Sequence, residues 1–354
     1  MLTLPTWKWA FFWSNILSAI PDKNLSTIID LAHEQKADEP REHLGLSLLG
    51  HPCDRYLWLS FRWAVASSFP GRILRLFRRG HLEEETVIAD LKLIGCALNE
   101  RQTRIEFGSH VSGSCDGIIT SGLPGHENKK LVLEIKTHSK KSFDELCKKG
   151  VALAKEQHYV QMQCYMLGLK IDHALYYAIC KDDDRIHTEI VKLDHGFAQK
   201  YVERGTKIAL SDYMPEPLSA DPSWYQCKMC SYHEFCHETK LTKQIHCRTC
   251  ALSTATDSSE WLCSRYDNAV IEAKYQRTGC NAHVLHPDLV PWNRAESDSP
   301  FEAVYIIDGQ HVRNGEMDEK VYASKEILAN SAACAHPDEV TESLRDIFDA
   351  RIVE

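Results

Sequence analysis

Apolar positions along the chain switch between two spacings, and the switch divides it into elements. Tyr56, Leu57, Leu59 and Phe61 form a stripe at helical spacing starting near Asp54. Pro70-Gly71 breaks it, and Ile73, Leu74, Phe77, Val87, Ile88 and Leu91 carry a second helix to about residue 94. The texture then turns to short β-rich runs at 104–107, 111–119 and 131–137, separated by glycine-containing turns. A helix over about 151–169 follows, then a strand at 174–180, its partner at 186–193 across Asp182-Asp183-Asp184, and a helix over 197–210. Helix, three strands, helix, strand is an α/β order. Residues 1 to about 40 read as helical and end in the polar stretch 34–42. Beyond Pro215 the chain is rich in Cys, His, Ser and Thr and poor in long apolar runs, so a core there needs staples. In the tail, 304–307 and 310–312 flank Asp308-Gly309, a hairpin signal.

A chain of 354 residues holds one large domain and a smaller module. The apolar stretch 7–20 is too short to span a bilayer and lacks a signal-peptide cleavage site, which predicts a cytoplasmic protein without a membrane partner. Within it Trp7, Trp9, Phe11, Phe12 and Trp13 are expected to pack a helix rather than stack on bases. The formal net charge of -9 counts against a protein that coats nucleic acid nonspecifically. Charge is nevertheless concentrated locally: Arg72, Arg75, Arg78 and Arg79 crowd one segment, and Lys129, Lys130, Lys136, Lys140, Lys141, Lys148, Lys149 and Lys155 another.

Between these clusters stand carboxylates. Asp116 lies where an apolar strand leaves a turn, and Glu134-Ile135-Lys136 lies inside the next one. Side chains alternate along a strand, so Glu134 and Lys136 share a face. Charges in the middle of a buried strand are costly unless paired or bound to metal. Two carboxylates on adjacent strands suit Mg²⁺ or Mn²⁺, and a lysine aimed at the same point can orient water or offset charge developing on a phosphate.

This constellation resembles the PD-(D/E)XK nucleases, and in particular their RecB-like branch. Asp116 and Glu134-Ile135-Lys136 match the two signature positions, residues 80–84 resemble the preceding helical motif, and Gln161 with Tyr165 resembles the Gln-x-x-x-Tyr motif. The resemblance spans about residues 46–240. It implies an α/β, restriction-endonuclease-like core with a mixed central β-sheet flanked by helices. It further implies catalysis by Glu84, Asp116, Glu134 and Lys136. The metal would be held by Asp116, Glu134, Glu84 and the backbone carbonyl of Ile135. Many members carry His where Glu84 stands, and here His81 is one turn away. Gln161 and Tyr165 would contact DNA or brace the site.

Fourteen cysteines are many for such a chain, and seven fall between Cys227 and Cys280, which argues for metal rather than disulfides. Cys96, Cys115, Cys147, Cys164, Cys180 and Cys334 sit singly among apolar residues and read as buried small hydrophobes. Cys227, Cys230 and Cys236 have the spacing of soft-metal ligands on one ion or cluster edge; His233 or His237 could complete a zinc site locally, or the distant Cys53 could supply the fourth ligand. By resemblance the set is Cys53, Cys227, Cys230 and Cys236 around a 4Fe-4S cluster. Cys247, Cys250, Cys263 and Cys280 predict a C-terminal zinc-binding module, with His283 or His286 able to replace one thiolate. Arg248, Arg265, Lys274 and Arg277 give that module a modest basic set.

The expected organisation is a helical extension over 1–45, a nuclease core with its iron–sulfur cluster over 46–240, a zinc module over 241–297 and a small α+β extension over 298–354. The expected function is exonuclease-like, Mg²⁺- or Mn²⁺-dependent hydrolysis of DNA in recombination, repair or phage replication, alone or with a helicase or recombination partner. The rivals are a noncatalytic nucleic-acid-binding or assembly protein on the same fold, and a nuclease acting on RNA.

Overall fold

The computed structural model describes residues 24–36, 39–66, 69–99, 102–316, 318, 320–348 and 350–353. Trp7, Trp9, Phe11, Phe12 and Trp13, with the helix expected there, lie outside the described residues. A helix does run over Leu25–Glu34 (α1), its first turn capped by the Asn24 carboxamide oxygen, which accepts from the Ser26 N–H.

Two sheets share the chain that carries the carboxylates. Leu44–Gly45 (β1), Thr103–Glu106 (β3) and Val111–Cys115 (β4) form a small sheet in the order β1-β4-β3. Ala97–Asn99 (β2), Gly117–Ser121 (β5), Leu131–His138 (β6), His173–Cys180 (β7) and Ile186–Lys192 (β8) form a five-stranded sheet in that order. β6 and β7 are parallel and the other pairs antiparallel, so the sheet is mixed. Both of its faces are covered, which is why β6 and β7 read as continuous apolar runs. Leu131, Leu133, Ile135, Leu175, Tyr177 and Ile179 pack against Val87, Ile88 and Leu91 of the long helix Gly71–Leu93 (α3), which follows Asp54–Phe61 (α2). Val132, Ala174, Tyr176 and Ala178 on the other face meet Phe143 and Leu146 of Lys140–Lys149 (α4) and Val160 and Met162 of Glu156–Leu169 (α5). Helix His195–Ala209 (α6) packs outside α5.

Three departures from the expected elements have physical causes. The strand expected over 111–119 is cut at Asp116, where the chain leaves the small sheet for the large one. The helix expected over 151–169 is preceded by α4, hidden in the sequence by its lysines although Phe143 and Leu146 give it an inward face. Gly150, at φ +74°, ends α4, and the chain bends again at Lys155 before α5. Cys147 was expected to be buried and is exposed: it lies beside the inward face of α4, whereas Cys96, Cys115, Cys164, Cys180 and Cys334 are buried as expected.

The C-terminal third folds against this core. Asn293–Ala295 (β12) pairs with Ala303–Ile307 (β13), which pairs with Gln310–Asn314 (β14), so residues on both sides of position 298 share one sheet and one apolar core. Asp308 and Gly309, both at positive φ, make the β13–β14 turn. The short strands Ser253–Ala255 (β9) and Trp261–Cys263 (β10) send Ala255 and Trp261 into the core of the larger part.

At the junction His286 is buried, edge-on to Trp58 at 5.5 Å, and its Nδ1 accepts the Asp288 N–H at 3.2 Å. Burial, with Arg62 nearby, lowers its pKa from 6.5 to about 3. The folded state therefore holds it neutral while an unfolded chain protonates it near pH 6.5. This contribution is fully present above pH 6.5 and is lost as pH falls toward 3, at about 1.4 kcal/mol per pH unit. Melting temperatures recorded from pH 7 down to pH 4.5 are expected to fall less steeply for His286→Gln than for wild type. Equal slopes would show that His286 does not titrate in this window.

Candidate functional site

The cut at Asp116 builds the site. Gly117 pairs with Leu133, so Asp116 arrives one step before the β5–β6 ladder begins, and its Oδ2 accepts the Ile135 N–H at 2.7 Å. That bond fixes one carboxylate beside the middle of β6. Glu134 and Lys136 project from the same face, as alternation requires, and Lys136 Nζ pairs with Glu134 Oε1. Glu134 is completely buried, and its Oε2 has no hydrogen-bond partner among the described residues.

Burial pushes the Glu134 carboxyl far above its usual range; Lys136 opposes the rise, and Asp116 and Glu84 add to it. Burial works against the Lys136 charge, but Glu134 and Asp116 outweigh it and raise its pKa. Among the described residues, Glu134, Asp116 and Glu84 act on one buried point, and Lys136 is the cation that answers them there. Such a point favours a further cation. Its donors are carboxylate oxygens, the class that Mg²⁺ and Mn²⁺ prefer, so the residues present fit a hard divalent ion.

Glu84 joins the field from α3 and also accepts a hydrogen bond from Gln102 Nε2 at 3.4 Å. His81, one turn earlier, is exposed. On α5, Gln161 and Tyr165 are both buried, and Gln161 Nε2 donates to the Tyr165 hydroxyl at 2.8 Å. The Tyr165 ring lies against Gly113, where an added Cβ would stand 3.1 Å from it. The glycine lets β4 approach α5 just before Asp116.

A polar group beside Lys136 has no motif in the sequence. The Tyr176 hydroxyl lies 2.9 Å from His138 Nε2 and 2.8 Å from His158 Nδ1. Burial, aided by neighbouring lysines, lowers His138 to about 4 and His158 to about 3, so both are neutral. His138 was legible in principle, because it continues the alternation of Glu134 and Lys136; Tyr176 enters only through the parallel register Glu134↔Tyr176.

Two sets of thiols converge. Cys53, Cys227, Cys230 and Cys236, from opposite ends of the larger core, line one cavity of about 30 Å³ together with His51, His233 and His237. Cys53 Sγ accepts the Tyr56 N–H and Cys230 Sγ the Tyr232 N–H, both at 3.4 Å. Cys247, Cys250, Cys263 and Cys280 line a second cavity of about 20 Å³, room for one water-sized particle. There Cys250 Sγ accepts N–H groups from Leu252 at 3.5 Å and Val284 at 3.4 Å. Four thiols around one space, some with amides aimed at sulfur, match the donor chemistry of a soft-metal site. Among the described residues, however, no three His, Cys, Asp or Glu side chains stand as a ready-made metal site.

The histidines weighed as replacements have other partners. His283 is 2.8 Å from Ser324 Oγ and 3.3 Å from Thr249 Oγ1 through its two ring nitrogens, and His286 serves the junction described above. The modest basic set is also committed. Arg248 is buried, Arg265 pairs with Glu316, Lys274 with Glu272 at 2.9 Å, and Arg277 with Glu39 at 2.9 Å and Glu42 at 3.1 Å.

No helix among the described residues is long and apolar enough to cross a membrane. No protein-family model matches the chain, and no curated protein matches it. Solved structures do resemble it. The protein SSO0001 is 17% identical at a TM-score of 0.38, over 64% of this chain and 96% of that one. An alkaline exonuclease from Laribacter hongkongensis is 14% identical at 0.36, over 50% and 90%. A phage related exonuclease from Haemophilus somnus 129PT is 21% identical at 0.28, over 36% and 66%.

Proposed function

We propose that this chain is a divalent-metal-dependent nuclease of the PD-(D/E)XK type, RecB-like, that hydrolyses DNA phosphodiester bonds from ends. The observation that carries the reading is the fully buried Glu134 carboxylate, one oxygen without a partner among the described residues and the other on Lys136, in the field of Asp116 and Glu84. Asp116, Glu134, Glu84 and the Ile135 carbonyl would hold Mg²⁺ or Mn²⁺. When bound, the ion supplies charge for the phosphate and acidifies water.

The chain's own residues do the rest. Asp116 is held by the Ile135 amide, which fixes its carboxylate beside β6 where it would serve as a ligand. Lys136, protonated and half-buried, offsets negative charge at the scissile phosphate and orients the attacking water. Gln161 holds the Tyr165 hydroxyl, and the pair braces the wall opposite β6. The neutral His138–Tyr176–His158 group adds no positive charge of its own beside Lys136. Low exposure around Glu134 keeps bulk water out, which strengthens each of these interactions.

Binding is separable from cutting. In metal-free protein, Mg²⁺ or Mn²⁺ is expected to raise the melting temperature, by an amount corresponding to about 2.7 kcal/mol at a hundredfold excess over Kd. Asp116→Ala is expected to lose most of that shift. An undiminished shift in Asp116→Ala would remove Asp116 from the metal site. Labelled single-stranded DNA, duplex DNA and RNA incubated with Mg²⁺, Mn²⁺ or EDTA then decide the substrate: the reading requires metal-dependent loss of DNA ends, and cutting of RNA alone would replace it with the RNA-directed one.

The two thiol sets extend the reading. Cys53, Cys227, Cys230 and Cys236 would hold a 4Fe-4S cluster that ties α2 to the segment after α6, and Cys247, Cys250, Cys263 and Cys280 a zinc ion that staples the C-terminal part. Both would draw their thiols together on binding, coupling uptake to folding. Protein purified without oxygen is expected to be brown, to lose that absorbance in Cys53→Ser, and to carry one zinc that Cys250→Ser lacks. A colourless protein with two zinc ions would overturn the iron–sulfur assignment.

A further inference from the structure

We propose that the exposed Phe69–Phe77 pair at the start of α3 is a base-stacking platform that receives a single-stranded polynucleotide end on its way to the carboxylate site; the assignment rests on the nuclease reading and deepens it. Along α3, Val87, Ile88 and Leu91 are buried against the sheet. Glu84 lies one turn before them on the same face, and Phe77 seven residues before Glu84 returns to that face, about 10 Å along the axis. The face that is core at one end of the helix is open at the other. Phe77 is 45% exposed and Phe69 47%, and their rings meet edge to face at 5.2 Å.

Charge around the pair names the occupant. Arg72 and Arg78 are exposed and have no ion-pair partner among the described residues, whereas the acids beside the start of α3 are committed: Asp30 pairs with Arg75, and Glu34 accepts the Gly71 N–H at 2.7 Å. Arg79 donates to the Lys181 carbonyl at 3.1 Å, at the end of β7, and the first amide of α4, on Lys140, is held by Asp182 Oδ2 at 2.6 Å. Arg79, Lys181 and Lys140 therefore border the end of the sheet beyond Lys136. Aromatic faces set among uncompensated cations fit a polymer with π-faces and phosphates. Stacking is open to every base, so the platform admits any sequence, but it requires bases that are not paired within a duplex.

The test uses the full chain carrying Asp116→Ala, so that substrate survives, and fluorescence anisotropy with two probes. One is an oligothymidylate of about 16 nucleotides, the other the same backbone with abasic sites. Adding Phe77→Ala is expected to weaken oligothymidylate binding about tenfold and to leave abasic binding unchanged, with Phe77→Trp restoring it. An unchanged melting temperature, expected for so exposed a ring, shows that the variant folds. Equal oligothymidylate affinity with and without Phe77 and Phe69 would overturn the platform. Failure of the Asp116→Ala parent to bind either probe would instead overturn the nuclease reading, and the platform with it.

Discussion

On the proposed nuclease reading, Lys136→Ala, Glu134→Gln and Asp116→Ala are each expected to lower the rate of DNA cleavage by about 10³-fold or more, because each removes a charge that the proposed chemistry directs at the phosphate or its ion. The three variants differ in stability, and the difference separates lost chemistry from lost folding. Glu134 is fully buried, and burial opposes its charge more strongly than Lys136 relieves it. Glutamine keeps the shape without that charge, so Glu134→Gln in EDTA is expected to melt at or above the wild-type temperature while remaining inactive. Lys136→Ala leaves the acids facing one another with no cation between them and is expected to melt lower. Single-turnover cleavage with matched thermal melts reads both quantities. Wild-type rates in Lys136→Ala would leave the proposed chemistry without a basis.

The largest expected loss of stability comes from Arg248→Ala. Arg248 is 1% exposed, and its guanidinium donates to the Phe61 carbonyl at 2.8 Å, the Glu42 carbonyl at 2.7 Å and Gln276 Oε1 at 3.0 Å. It also lies over the Trp63 ring, 3.8 Å from the centroid. Burial lowers its pKa from 12.5 to about 9, which still leaves it charged at neutral pH. Truncation would strand two carbonyls and open a cavity between the C-terminal part and α2, a loss of about 3 kcal/mol or more. Arg248→Lys is expected to recover little, because an ammonium cannot reproduce the planar fork. Urea titration measures this directly. A change below about 0.5 kcal/mol, the level of an ordinary surface substitution, would mean that Arg248 does not join the two parts.

The same residue shows how sequence can mislead about surface. Arg248 stands among polar and cysteine residues and reads as part of a basic patch, yet it is among the most buried side chains, because Phe61, Trp63 and Trp261 come from distant segments to enclose it. Local spacing cannot report such enclosure.

Features with a short period are legible in the amino-acid order alone. Glu134 and Lys136 share a face because a strand alternates every two residues, and Gln161 meets Tyr165 because a helix returns after four. The β13–β14 hairpin followed from Asp308-Gly309 for the same reason. Other features arise where distant segments meet. Examples are the switch of sheets at Asp116, the placement of Glu84 rather than His81 in the site's field, the approach of Tyr176 to His138, and the gathering of Cys53 with three thiols far along the chain. A spacing constrains only its own neighbours, whereas these arrangements follow from the sheet order and from how each face is covered. Those are properties of the whole packed core.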